Sequence, residues 1–155
     1  MSALGASELF RVEFAPMVRL ATLMTGSQHD AEELVMDAFA RVAPRIGDLD
    51  RPGAYLRSAV VNAARSHLRQ RHRRALRRPE HAVLVSHDPE IDELWVRLSQ
   101  LRPDERACVV LRYYDDLPLA EIAEVLDLPL GTVKSHIHRA LATLRTLLTE
   151  EDDDA

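Results

Sequence analysis

Leu119-Ala120-Glu121-Ile122-Ala123-Glu124-Val125-Leu126, then Asp127-Leu128-Pro129, then Gly131-Thr132-Val133-Lys134, has the proportions of a helix–turn–helix. Ile122, Ala123 and Leu126 are placed to pack the first helix on the second. Ala123 has to be small, because a large side chain there would push the crossing helices apart. On the second helix Val133, Ile137, Ala140, Leu141, Leu144 and Leu148 share one face. Thr132, Ser135, Arg139 and Ala142 fall opposite, with Lys134 and His138 on the flanks. A free face that is polar, basic and small at its N-terminal end fits a major groove. The same periodicity also fits an ordinary helical hairpin.

Working outward, helical spacing recurs along most of the chain. Leu94, Trp95, Leu98 and Leu101 predict an amphipathic helix that ends before Pro103. A second covers 104–114, with Ala107, Val110, Leu111 and Tyr114 inward. Nearer the N-terminus, Phe10, Phe14, Met17, Val18, Ala21 and Leu23 mark one helix, interrupted by Thr25-Gly26-Ser27. Another spans 30–39, with acids crowding its first turn as the helix dipole prefers. Pro44 and the Gly47 to Gly53 cluster predict a loop over 44–53. A third helix begins near Ala54, with Tyr55, Leu56, Ala59, Val60, Ala63, Ala64 and Leu68 on its buried side. Residues 79–90, with Pro79 and Pro89 and no sustained apolar period, read as a short mobile linker. The expected fold is all-α: two small helical domains joined by a flexible linker, the C-terminal one a helix–turn–helix. The boundaries are 1–78, 79–90 and 91–149, with an acidic tail at 150–155.

Composition agrees and removes other classes. The 155 residues are 46% apolar and 29% charged, enough for a core and a wetted surface. With 5% aromatics and five glycines the chain is poor material for many short strands joined by turns. A lone cysteine, Cys108, excludes an internal disulfide framework and the usual cysteine zinc sites. The chain shows neither an apolar run of membrane-spanning length nor a secretory start, so a cytoplasmic protein is expected.

The formal charge of -5 hides segregation. Nine arginines (51, 57, 65, 69, 71, 73, 74, 77, 78) and no carboxylate occupy 51–78, leaving eleven bases against all twenty-five acids elsewhere. A second acid-free stretch, 129–149, carries Lys134, Arg139 and Arg145 with His136 and His138. Two basic islands in an acidic chain point to polyanion contacts at two places, although two solvated helix faces would leave the same pattern.

The stretches from Asp115 to Ala123 and from Gly131 to Leu141 resemble the C-terminal promoter-reading domain of extracytoplasmic-function (ECF) sigma factors. These are the small two-domain specificity subunits of bacterial RNA polymerase. Asp30-Ala31-Glu32-Glu33-Leu34-Val35 and Tyr55-Leu56-Arg57-Ser58-Ala59-Val60-Val61-Asn62 resemble the two signatures of that family's N-terminal domain. The likeness covers roughly 9–148, and the Tyr-Leu-Arg and Leu-Arg-Tyr-Tyr segments are similar to an actinobacterial, sigma-E-like branch. Asp127 stands where a turn Gly is common, and Leu130 where an acid is common. His136 and Leu141 replace frequent arginines, Met36 replaces a polar residue, and Val42-Ala43 lacks a frequent tryptophan.

The resemblance implies a division of labour. Asp30, Glu33, Met36 and Asp37 match the helix that binds polymerase core, on a coiled coil of the largest subunit. A solvated acidic helix start remains the plain alternative for Glu33 and Asp37. Tyr55, Asn62, Arg65, Arg69 and Arg73 would meet the minus-ten element: the amide pairing a base edge, the ring standing in for a lost stacking neighbour, the arginines holding phosphates. A half-buried core tyrosine would account for Tyr55 equally. The loop 44–53 matches the family's specificity loop, which captures an extruded base. Thr132, Lys134, Ser135, His138 and Arg139 would approach the minus-thirty-five element, Arg139 through either a base or a phosphate. Implied partners are polymerase core, including the flap of the second-largest subunit, promoter DNA, and an anti-sigma factor such as many members have. No membrane is implied, and bound to polymerase the chain would sit at the nucleoid.

No cofactor or metal is expected. His67 with His72, and His136 with His138, lack i,i+4 spacing and a carboxylate on the same face. Cys108, between Ala107 and Val109, reads as a reduced core thiol. No catalytic constellation or phosphate-binding glycine loop is present, so the chain is not expected to be an enzyme; catalysis would belong to the polymerase. A dimeric helix–turn–helix regulator acting without polymerase is the alternative, and the arginine-dense third helix argues against it. A small helical enzyme or anti-sigma-type protein would need a catalytic site or a zinc-binding His-Cys motif.

Overall fold

Where the chain must stop a helix and turn, it uses the residues that allow it. In the computed structural model, which describes residues 5–75 and 88–154, α1 (Ala6–Thr25) ends at Gly26. Gly26 adopts φ 77°, a left-handed conformation that costs glycine little, and its N–H donates to the Thr22 carbonyl at 2.7 Å. Ser27 then caps α2 (Gln28–Val42), its hydroxyl accepting from the Asp30 N–H at 3.1 Å. A 3-10 helix, Ala43–Asp48, follows with Ile46 buried, so part of the expected 44–53 loop is a fixed turn. α3 (Pro52–Ala75) opens on Pro52, where a missing N–H loses no hydrogen bond.

These three helices pack on one another through Leu20, Leu23, Val35, Val42, Leu56, Val60, Val61 and Ala64. The amphipathic reading of α1 is too narrow: Met17, Val18 and every residue from Leu20 to Thr25 are buried, on all sides of the helix. A helix end buried all round needs neighbours on both flanks. The second flank comes from the other half of the chain.

That half consists of α4 (Pro89–Leu98), α5 (Pro103–Val109), a π turn (Val110–Tyr114), α6 (Leu119–Leu126) and α7 (Leu130–Asp153). Three expectations change here. Pro89 and Glu90 do not belong to the linker: the Asp88 carboxylate accepts from the Glu90 N–H at 3.0 Å and Pro89 starts α4. Residues 79–87 of the expected linker, like Arg77 and Arg78, lie outside the described residues. The helix over 104–114 does not keep α-helical phase. Its π turn, in which the Asp115 N–H reaches back to the Val110 carbonyl, adds a residue to the turn and swings Tyr114 outward, leaving it 41% exposed. Finally α7 runs on through Asp153, with Leu148 exposed and Arg97 Nη2 3.4 Å from Glu151 Oε2.

The helix–turn–helix closes as its spacing requires. Asp127 takes the left-handed conformation (φ 52°) that ends α6, and the Leu128 N–H returns to the Ala123 carbonyl at 3.0 Å. Ile122, Leu126, Val133, Ile137 and Ala140 are buried between α6, α7 and their neighbours. The two halves then share one apolar core. Among the described residues, no helix is long and apolar enough to cross a membrane.

Cys108 lies at the centre of the second half, fully buried. Burial is the main cause that pushes its thiol up to about 12, with the carboxylates of Asp104 and Glu105 adding and Arg65 opposing. The native protein should therefore resist iodoacetamide at neutral pH. Against a thiol at 9.0 it holds roughly a thousandfold less thiolate. Full labelling should follow only after denaturation; rapid native labelling, read by intact mass, would contradict the packing.

Candidate nucleic-acid and polymerase interfaces

The exposed face of α7 is the one its sequence pattern requires. Val133, Ile137 and Ala140 are buried, while Lys134, Ser135, His138 and Arg139 are exposed and Thr132 is half-buried. The Ser135 hydroxyl donates to the Gly131 carbonyl at 3.0 Å, which ties it to its own helix. His136, at a position where a phosphate-binding arginine is frequent in the resembled family, is half-buried.

On α2, Glu33, Met36 and Asp37 form an exposed strip, with His29 Nε2 3.3 Å from Glu33 Oε1. Asp30 is not part of the free strip, since its Oδ2 lies 3.1 Å from His67 Nε2 on α3. This contact joins the start of the acidic helix to the middle of the arginine helix. Asn62 is exposed and lines a groove between α2 and α3 together with Asp37, Arg41, Ser66 and Gln70.

Tyr55 is not a core residue: it is 41% exposed at the start of α3. Arg45, on the 3-10 helix, donates from Nη1 to the Tyr55 hydroxyl at 2.9 Å and lies 5.3 Å from the ring centroid. The turn and the helix are thus tied at the one exposed ring between them. Nothing in the local spacing singled out Arg45, whose partner lies ten residues on.

The arginines of α3 divide. Arg69 and Arg73 are exposed, as a phosphate-binding row requires. Arg65 is otherwise engaged. Its Nε and Nη2 donate to Asp104 Oδ1 at 3.3 and 3.1 Å, and its Nη1 to the Leu126 carbonyl at 2.9 Å. Arg57 Nε approaches Asp115 Oδ2 to 2.7 Å; both atoms are buried and neither has a better-aligned partner. Burial raises the Asp115 carboxyl above the usual carboxylate value, Arg57 pulls it back, and Glu13 and Glu121 push it further up. Glu121 Oε1 stands 3.9 Å from Arg57 and 3.7 Å from Arg51.

One buried arginine escaped the reading of the sequence altogether. Arg106 donates to the carbonyls of Leu98 (2.9 Å), Met24 (2.7 Å) and Leu101 (3.0 Å), and its guanidinium lies 4.6 Å from the Trp95 ring centroid. Burial, then the charge of Arg71, brings it down to about 10, so it stays a cation at neutral pH. Arg71 in turn donates to the Thr25 carbonyl at 3.0 Å. Among the described residues no cluster of three or more His, Cys, Asp or Glu side chains is arranged to hold a metal ion.

Comparison with known proteins assigns two stretches of the chain to two family regions. Residues 10–74 match sigma-70 region 2 and residues 91–144 match sigma-70 region 4. The RNA polymerase sigma-E factor of Streptomyces coelicolor is 32% identical over 156 residues, covering 96% of this chain and 88% of that protein. The ECF RNA polymerase sigma factor SigE of Mycolicibacterium smegmatis is 32% identical over 162 residues, 95% of this chain and 63% of that one. Among solved structures, the fold is similar to the sigma factor RpoE of Bartonella quintana, seen in complex with the anti-sigma factor NepR. There the TM-score is 0.77 at 19% identity, over 92% of this chain and 96% of the other. With both sigma regions in order and relatives matched over nearly its whole length, the chain belongs to the ECF group of sigma-70 RNA polymerase sigma factors.

Proposed function

We propose that the chain binds bacterial RNA polymerase core and directs initiation at promoters with two elements, α3 meeting the minus-ten element and α7 the minus-thirty-five element. Family membership favours this over a regulator that works without polymerase. The observation that carries the residue assignment is the face of α7: Val133, Ile137 and Ala140 are buried and Lys134, Ser135, His138 and Arg139 project from the other side. Long basic side chains there reach base edges and phosphates alike. On α2 the exposed Glu33, Met36 and Asp37 offer two carboxylates and an apolar centre to a basic surface of the largest subunit. Asn62 and Tyr55, both exposed on α3, are the residues assigned to the minus-ten bases, with Arg69 and Arg73 on its phosphates and Arg65 available once released from Asp104. The chain contributes positioning and strand capture, the polymerase the chemistry. An anti-sigma factor is a further partner on this reading, and the chain acts in the cytoplasm at the nucleoid.

Run-off transcription with purified core polymerase is the direct test: initiation at a discrete start site that requires this chain is expected, and none would be seen from a regulator acting alone. Charge reversal at Glu33 and Asp37, both exposed, should weaken capture by core while leaving the circular dichroism and melting profile in place. Unaltered capture would remove α2 as the polymerase face.

Arg139→Ala distinguishes two kinds of contact. If Arg139 reads a base, the substitution should cost about 1–3 kcal/mol on the cognate element and flatten preference at one position. If it holds a phosphate, the loss should be equal on cognate and scrambled DNA and the salt dependence should fall by about one ion's worth. Titrations at several salt concentrations measure both. A folded variant with wild-type affinity and slope would place the helix on the wrong face.

A further inference from the structure

Arg45 and Tyr55 meet across ten residues of chain, and each stands on a fixed support. Pro44 opens the 3-10 helix, Ile46 is buried beneath it, and the Leu49 N–H donates to the Ile46 carbonyl at 3.3 Å. Arg45 is exposed on this turn. Tyr55 lies in the first turn of α3, where its N–H donates to the Arg51 carbonyl at 3.1 Å and the adjoining Leu56 is fully buried. The backbone at both ends of the contact is therefore set by the core. Packing alone still leaves a ring that is 41% exposed more than one staggered rotamer. Arg45 supplies the missing selection. Its Nη1 donates to the hydroxyl at 2.9 Å, while the guanidinium carbon stays 5.3 Å from the ring centroid. Together these distances place the guanidinium beyond the hydroxyl, so it holds the ring by its end and does not cover the middle of either face. The hydroxyl accepts from Arg45 and keeps its own proton to donate elsewhere.

We propose that Arg45 is a positioning residue for promoter opening, holding the Tyr55 ring as a stacking platform for the base freed when the minus-ten element separates. The idea rests on the assignment of Tyr55 to that element. Stacking needs a flat face presented at one angle, and a rotamer that turns the face away is unproductive. The apparent affinity for the unpaired base falls in proportion to the fraction of chains with the ring in place. Arg45 raises that fraction before DNA arrives, so ordering the ring is not left to the moment of capture. It acts through Tyr55 and not through a contact of its own with the strand.

The test uses the full chain with purified core polymerase, at the promoter where run-off transcription starts. Permanganate reactivity of unpaired thymines follows opening, and binding at low temperature follows the closed complex. Four variants are compared, R45A, R45K, Y55A and R45A/Y55A, with circular dichroism confirming that each folds. R45A should slow opening by about threefold or more and leave closed-complex binding unchanged. R45K keeps a donor and the charge, and should recover part of the loss. Y55A should lose more than R45A, and R45A/Y55A no more than Y55A. 3-Fluorotyrosine in the free chain reads the hold without DNA, its three signals assigned by Y55F, Y113F and Y114F. R45A should move the Tyr55 fluorine toward its denatured position and leave those of Tyr113 and Tyr114 in place. An unmoved Tyr55 fluorine in R45A, or opening at the wild-type rate, would overturn the proposal and leave the assignment of Tyr55 standing. A further loss on adding R45A to Y55A would show Arg45 acting on its own, and would overturn it in the same way. Wild-type opening by Y55A would remove Tyr55 from strand capture, and the role of Arg45 with it.

Discussion

The last carbonyls of an α-helix have no partner within it, and the end of α1 is buried, so something must supply donors there. Two arginines do: Arg106 takes the Met24 carbonyl and Arg71 the Thr25 carbonyl. Arg106 meets the same need at the end of α4, taking the Leu98 carbonyl and that of Leu101 in the turn that follows. A buried guanidinium with no carboxylate paired to it among the described residues is tolerable because both helices present their negative poles to it and Trp95 covers its face. Removing those acceptors would strand the charge, and removing the charge would strand the carbonyls. Arg106 thereby ties the end of α1 to the second half of the chain, beside the apolar core that the two halves share.

Local pattern carried much of the reading, and it failed where partners are remote. The recognition face of α7 was legible because Val133, Ile137 and Ala140 recur at helical spacing within one segment. Tyr114 was misplaced because a π turn shifts the phase and nothing in Val110-Leu111-Arg112-Tyr113-Tyr114 announces it. Arg106 and Arg65 were illegible for a different reason: their partners lie 82 and 39 residues away, and a charge run looks the same whether it faces water or another helix. Pro89 was legible in principle. Asp88-Pro89-Glu90 is an N-cap, a first-turn proline and a first-turn acid, and the two prolines drew attention to a linker instead.

α3 carries two demands on one set of side chains. Its buried residues, Leu56, Val60, Val61 and Ala64, tie it to α1 and α2, while Arg57 and Arg65 reach carboxylates of the second half. The Asp30–His67 contact adds a link from the acidic face of α2 to the same helix. A polymerase surface that drew Asp30 away would therefore be felt on α3 within one side-chain contact.

The end of α7 obeys a different balance. Glu150, Glu151, Asp152 and Asp153 occupy the negative pole of the helix, where each carboxylate loses roughly 0.3–1 kcal/mol at low ionic strength. Among the described residues Arg97 answers Glu151 alone. Salt screens such repulsion, so the acidic end of α7 is expected to gain helical stability as ionic strength rises.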